Sequence, residues 1–148
     1  MRQAIEKARE GIEKGQLPFG ACIVKDGMAI SLTHNTIYRD MCIISHAETN
    51  AIHEACKKMN TLDLSGCTIY CTCEPCAMCY GAISLAGIGC IVYGAGKDYS
   101  NIEGFHVPDI TDEELNRAVK GSIEIVKGFL EEECAGLFKL WEQRINKS

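Results

Sequence analysis

Two short stretches hold most of the residues able to do chemistry. One is "CTCEPCAMCYGA", Cys71 to Ala82, with four cysteines in nine residues; the other is "SHAETNAIHEA", Ser45 to Ala55, headed by His46 and Glu48. Cys76 and Cys79 form a C-x-x-C pair, a spacing that serves metal binding, thiol–disulfide exchange or bridging. A zinc loop built from Cys71, Cys73, Cys76 and Cys79 alone is one reading, although structural zinc sites usually draw two pairs from separate segments. A thioredoxin-like redox motif is another, but no second element of that motif accompanies the pair.

The upstream stretch also has two readings. Ser45 and Glu48 fit an S-x-x-E capping box, which needs no chemistry at all. His53, in mid-helix, reads as a surface or packing residue. The conjunction points elsewhere, because H-x-E followed by P-C-x-x-C is the signature of zinc-dependent base deaminases. One His and two Cys leave the fourth tetrahedral position of zinc open, as a catalytic site requires.

These residues need elements to hold them. Ile5, Ala8 and Ile12 recur at helical spacing, predicting a first helix that ends near Gly15. "FGACIVKDGMAISLT" is two apolar runs joined at Asp26-Gly27, a hairpin signal. A second helix is predicted over Ser45 to Met59, a strand at "GCTIYCT", and a third helix with Pro75 as its first residue. That start places Cys76 and Cys79 on one face of the first turn, where the positive end of the helix dipole favours thiolates. Cys71 and Cys73 are expected to point the same way from the preceding strand. "GIGCIVYGA" reads as a strand, Gly96 to Pro108 as a polar loop, Thr111 to Val119 as a short helix and "SIEIV" as a strand. In the closing helix Leu130, Cys134, Leu137, Phe138, Trp141 and Ile145 form one stripe, so Trp141 is assigned to core packing. Strands alternating with helices predict an α/β/α fold with a mixed sheet, the first hairpin supplying its antiparallel pair.

Composition sets the setting. A chain of 148 residues with 47% hydrophobic content is read as one domain, 1–148, able to bury a core without covalent staples. "MRQAIEKAREGIEKGQ" mixes charges throughout and does not read as a signal peptide, and no apolar run approaches the roughly 20 residues of a membrane span. A cytoplasmic location is expected, where the ten cysteines are reduced and a disulfide knot is disfavoured.

The sequence resembles the cytidine deaminase-like superfamily, in the branch of guanine deaminases, fungal cytosine deaminases and tRNA wobble-adenosine deaminases. "PFGACIVKDG", "HAETNAI", "CTCEPCAMCYGAI" and "VYGA" carry the likeness, which weakens after Lys97. It implies a five-stranded sheet between helices, one zinc per chain on His46, Cys76 and Cys79, Glu48 as proton shuttle, and a homodimer. It also implies that Asn35, on the loop after the second strand, contacts the base, and that the backbone of Ala47 lines the pocket. With a looser alignment, Phe105 is expected to stack on the ring and Asp109 to accept from it.

The substrate is expected to be a small free nucleobase, guanine first. A net charge of −5 is unsuited to a polyanion, and Lys97 to Arg117 holds only those two basic residues against Asp98, Glu103, Asp109, Asp112, Glu113 and Glu114. "PFGA" and Gly104-Phe105 resemble guanine deaminases, whereas "GFLEEECAGLF" resembles the tRNA enzymes, and "RDMCIISHAE" departs from the shorter "DP" approach common in both. A tRNA adenosine deaminase, a deaminase of cytosine or another amino-heterocycle, and a noncatalytic module with structural zinc are the alternatives; the intact Glu48 argues against the last.

Overall fold

The computed structural model describes residues 1–100, 102 and 107–146. Its elements run α1 (Arg2–Glu13), β1 (Gly20–Lys25), β2 (Met28–His34), α2 (Ile37–Asp40), α3 (Ala47–Met59), β3 (Thr68–Cys73), α4 (Ala77–Leu85), β4 (Cys90–Ala95), a 3-10 turn (Lys97–Ser100), α5 (Asp112–Ala118), β5 (Glu124–Val126) and α6 (Glu131–Ile145). The five strands form one sheet in the order β2-β1-β3-β4-β5. β1 is antiparallel to both β2 and β3, while β3, β4 and β5 run parallel. This is the expected five-stranded mixed sheet between helices. The hairpin turns at Asp26 and Gly27, both with positive φ (49° and 75°), the conformation a two-residue turn of the right twist demands.

Each face of the sheet carries its own apolar cluster. On one, Ala47, Ala51 and Ala55 of α3 and Tyr80 and Ile83 of α4 pack on Ile23, Ile69 and Ile91, with Leu115 of α5 against them. On the other, Ile5, Ala8 and Ile12 of α1 meet Cys134, Leu137 and Phe138 of α6. α1 lies so close to β1 that a Cβ at Gly20 would collide with the Ala4 carbonyl, and α6 so close to β4 that one at Gly94 would collide with the Cys134 sulfur. Trp141 is half-buried against the second cluster, in keeping with a packing role, but Ile145 at the end of the stripe is 49% exposed. Among the described residues no helix is long and apolar enough to cross a membrane. All ten cysteines are free.

Several boundaries differ from expectation. α3 starts at Ala47 with His46 as its N-cap, and the Ser45–Glu48 capping box does not form. The Ser45 carbonyl accepts instead from the backbone N–H of Thr36 at 3.0 Å and from the Asn50 side-chain amide at 3.5 Å, so both of its lone pairs are taken outside the helix. Pro75 precedes α4, whose N-cap is Cys76 with an extended backbone (φ −75°, ψ 167°). Cys71 joins the α3/α4 cluster whereas Cys73, at the last residue of β3, joins the α1/α6 cluster, so the two do not act as a pair. The loop from Gly96 contains the 3-10 turn, and α2 adds a single turn that no sequence pattern announced.

Candidate active site

Two helix starts meet at one end of the sheet. β2 pins α3 through the Thr33 hydroxyl, which donates to the Ala47 carbonyl at 2.7 Å, and the Ser31 hydroxyl, which donates to the Ala51 carbonyl at 2.9 Å. Asn50 adds donations to the His34 carbonyl and to the Thr36 hydroxyl. α4 follows directly from β3, and the Glu74 N–H donates to the Ala95 carbonyl at 2.8 Å. The sheet therefore fixes His46, at the cap of α3, against Cys76 and Cys79, at the cap and in the first turn of α4.

The ligand atoms of His46, Cys76 and Cys79 lie within 4.8 Å of one another. His46 Nδ1 is 3.7 Å from the Cys76 sulfur and 3.5 Å from the Cys79 sulfur. Zn–N and Zn–S bonds at tetrahedral angles separate such atoms by about 3.6 Å, so this donor set fits zinc with a position to spare. Burial works against charge on His46, but the Cys76 thiolate and Glu48 beside it outweigh burial and raise its pKa. The Cys79 thiol, donating to Cys76, holds the latter down to about 4 with help from His46. Cys79 itself is pushed well above the ordinary thiol value, by that same bond and by burial. Glu48 is buried, and burial raises its carboxyl.

Beside this cluster opens a cavity of about 40 Å³, room for roughly three waters. Leu17, Phe19, Pro75, Ile102 and Val107 form its apolar walls, and His46, Glu48, Glu74, Cys76, Lys97 and Ser100 its polar ones. Phe19 is held edge-on against Phe138 of α6 at 5.6 Å. Glu74 ties the later chain to the metal loop, since its carboxylate accepts from the backbone N–H groups of both Lys97 and Asp112. Asp112 is wholly buried and neither of its oxygens has a hydrogen-bond partner among the described residues. Burial, with Glu74 and Glu48 adding repulsion, raises it to about 8.

The structure thus unites His46, Glu48 and Cys76 at the cavity and sets Cys79 beneath them. Asn35 is 1% exposed, donates its backbone N–H to the Phe19 carbonyl at 3.0 Å, and leaves its side-chain nitrogen unpartnered. Ala47 is buried in the core under the site, and His53 is exposed on α3. Asp109 does not reach the cavity: its side chain is in solvent, 3.2 Å from the Lys97 ammonium. Phe105 and Gly104 lie outside the described residues. Sequence reasoning passed over Glu74, although it sits inside the metal segment, and counted Lys97 only as a charge. Ile102 and Val107 carried no signal, being isolated apolar residues in a loop.

A five-stranded sheet presenting a His-Cys-Cys cluster at two helix starts, with a buried Glu beside it, defines a zinc-dependent deaminase of the cytidine deaminase-like superfamily. Residues 1–133 match the model of the MafB19-like deaminases, and the chain belongs to that family. It is similar to the tRNA-specific adenosine deaminase of Bacillus subtilis, 37% identical over 147 residues, 99% of this chain and 89% of that one. The guanine deaminase of the same organism is 34% identical over 148 residues, 99% and 94% of the two chains. The solved structure of guanine deaminase from Nitrosomonas europaea matches with a TM-score of 0.85 at 25% identity, covering 95% of this chain and 81% of that one. The chain therefore falls in the tRNA adenosine/guanine deaminase branch.

Proposed function

We propose that the protein hydrolytically deaminates a small free nucleobase, guanine before others, releasing ammonia. His46, Cys76 and Cys79 would hold zinc, which when bound supplies the Lewis acidity that makes water a nucleophile near neutral pH. Glu48 accepts one proton of the attacking water and hands it to a ring nitrogen, then takes the second proton from the hydroxyl added to the ring carbon and delivers it to the amine, which departs as ammonia as the carbonyl forms. Its raised pKa suits a group that must both take and give a proton. The spare amide of Asn35 is a donor for an acceptor on the base edge.

The observation that carries the free-base reading is the acidic surround of the cavity. Asp98 and Asp109 are exposed on the segments that supply Lys97 and Val107 to its wall, and Glu113 and Glu114 follow at the start of α5. Phosphates of a polynucleotide would be repelled there. A second reading, deamination of adenosine in tRNA, is favoured by the 37% identity to the Bacillus subtilis tRNA-specific enzyme. An ammonia-release screen over guanine, cytosine, adenosine, cytidine and tRNA separates them. Turnover of guanine with a rate insensitive to salt is expected; preference for tRNA with activity falling steeply as salt rises establishes the second reading.

A further inference from the structure

Nearly every polar group on the cavity wall is already engaged. His46 and Cys76 belong to the metal cluster, and Glu48 stands beside it. Glu74 accepts from two backbone N–H groups, at 3.0 and 3.2 Å, and Ser100 donates its hydroxyl to the Lys97 carbonyl at 2.7 Å. Among the residues that line the cavity the exception is the ammonium of Lys97; the other unpartnered donor, the Asn35 amide nitrogen, is not one of them. Its nitrogen is buried and makes no hydrogen bond among the described residues. Asp109 Oδ1 lies 3.2 Å away, but off the line a hydrogen bond needs.

That ion pair is lopsided. The lysine side chain is 16% exposed and the aspartate side chain 104%. A carboxylate wholly in water is well screened and returns little for the dehydration of its partner. An ammonium has three N–H donors and no acceptor capacity, and leaving them unmet in a site walled by Phe19, Ile102 and Val107 is costly. A ligand that brings an acceptor into the cavity removes that cost.

We propose that Lys97 is a specificity-determining residue that donates to an oxo group of the bound heterocycle, so that the cavity selects amino-heterocycles bearing a ring carbonyl. The inference rests on the free-base reading above. An ammonium-to-carbonyl hydrogen bond in a dry cavity is charge-assisted, and a ring without the carbonyl leaves the ammonium unpartnered again. The paired groups are both polar and both desolvated, which is where discrimination between close analogues is strongest.

Two substrate pairs isolate the carbonyl. 2-Aminopurine is guanine without its oxo group, and 4-aminopyrimidine is cytosine without its oxo group; in each pair the amine that leaves is the same. With the zinc-loaded protein, Lys97→Met is expected to lower kcat/KM by about 10- to 100-fold on the oxo-bearing member and by no more than about threefold on its partner. Lys97→Arg, which keeps a donor, restores part of the loss. Zinc content and circular dichroism unchanged from the parent show that the variants fold. Equal loss on both members of a pair, or no loss on either, overturns the assignment while leaving free-base deamination in place. If the unmodified protein turns over neither pair and acts on tRNA alone, the free-base reading falls and this assignment falls with it.

Discussion

Two helices of this chain start from the same residue pattern and use it in opposite ways. Thr111-x-x-Glu114 forms a complete capping box at α5: the Thr111 hydroxyl accepts from the Glu114 N–H at 3.2 Å, and the Glu114 carboxylate accepts from the Thr111 N–H at 2.8 Å. Ser45-x-x-Glu48 forms none at α3. There the helix opens one residue later, at His46, and a one-residue offset turns a side chain by about 100° around the axis. Glu48 is carried inward to the metal cluster and buried, while Glu114 stays in solvent. A local signature is reliable where nothing else claims its groups. At α3 the Ser45 carbonyl is claimed by Thr36, and that tertiary bond moves the start.

Matched substitutions at the two glutamates give the largest expected contrast. Glu48→Gln should cut turnover by about 10²- to 10⁴-fold, the range for a general acid–base group, with zinc still near one per chain by metal analysis. Glu114→Gln should leave turnover within about twofold, because Gln serves equally well at that position of a capping box. Near-normal turnover in Glu48→Gln would remove this residue from the mechanism and make the two helix starts equivalent after all.

The buried neighbour of the Glu114 box sharpens the contrast further. Asp112, the first residue of α5, holds its proton in the folded chain up to about 8, because burial and then Glu74 and Glu48 oppose its charge. The unfolded chain gives up the same proton at an ordinary carboxyl value near 3.8. Its contribution to stability is therefore full below that value and is lost as pH rises through the folded pKa. Thermal unfolding should show stability falling by on the order of a few kcal/mol between about pH 4 and about pH 9, and Asp112→Asn should flatten that fall. A slope unchanged by Asp112→Asn would mean that the carboxyl has a partner.

The smallest effect comes from the caps themselves. Thr111→Ala should cost about 1 kcal/mol, the usual loss for an N-cap hydroxyl. Ser45→Ala, whose hydroxyl caps no helix, should stay within about 0.5 kcal/mol. Denaturant titration resolves the two, and a larger loss at Ser45 would show that α3 depends on it in solution.

The metal end was legible because its ligands sit in two contiguous segments whose spacing is set by chemistry: a helix start can present a His-x-Glu pair or a C-x-x-C pair with no help from distant residues. The sheet was legible for a similar reason, since apolar periodicity of 2 or 3.6 residues and the Asp26-Gly27 turn are local properties. The second half of the cavity was not. Lys97, Ile102 and Val107 come from a segment without periodicity, and they reach the site because Glu74 binds the backbone of Lys97 and of Asp112. Asp109, picked from the same segment for its charge, lies in solvent.

By itself the sequence determined the order of the main elements and the mixed sheet, through patterns among near neighbours, and the His-Cys-Cys cluster with its Glu, through two local motifs recognised together although His46 and Cys76 lie 30 residues apart. The tertiary structure alone decided where α3 and α4 begin, that Cys71 and Cys73 part company, and which loop groups wall the cavity. Each of those outcomes turns on a hydrogen bond or a packing contact between residues distant in the chain, from the Thr36–Ser45 and Glu74–Asp112 hydrogen bonds to the packing of Cys73 with Ile5 and Leu137. Competition for a single buried carbonyl or carboxylate leaves no trace in local spacing.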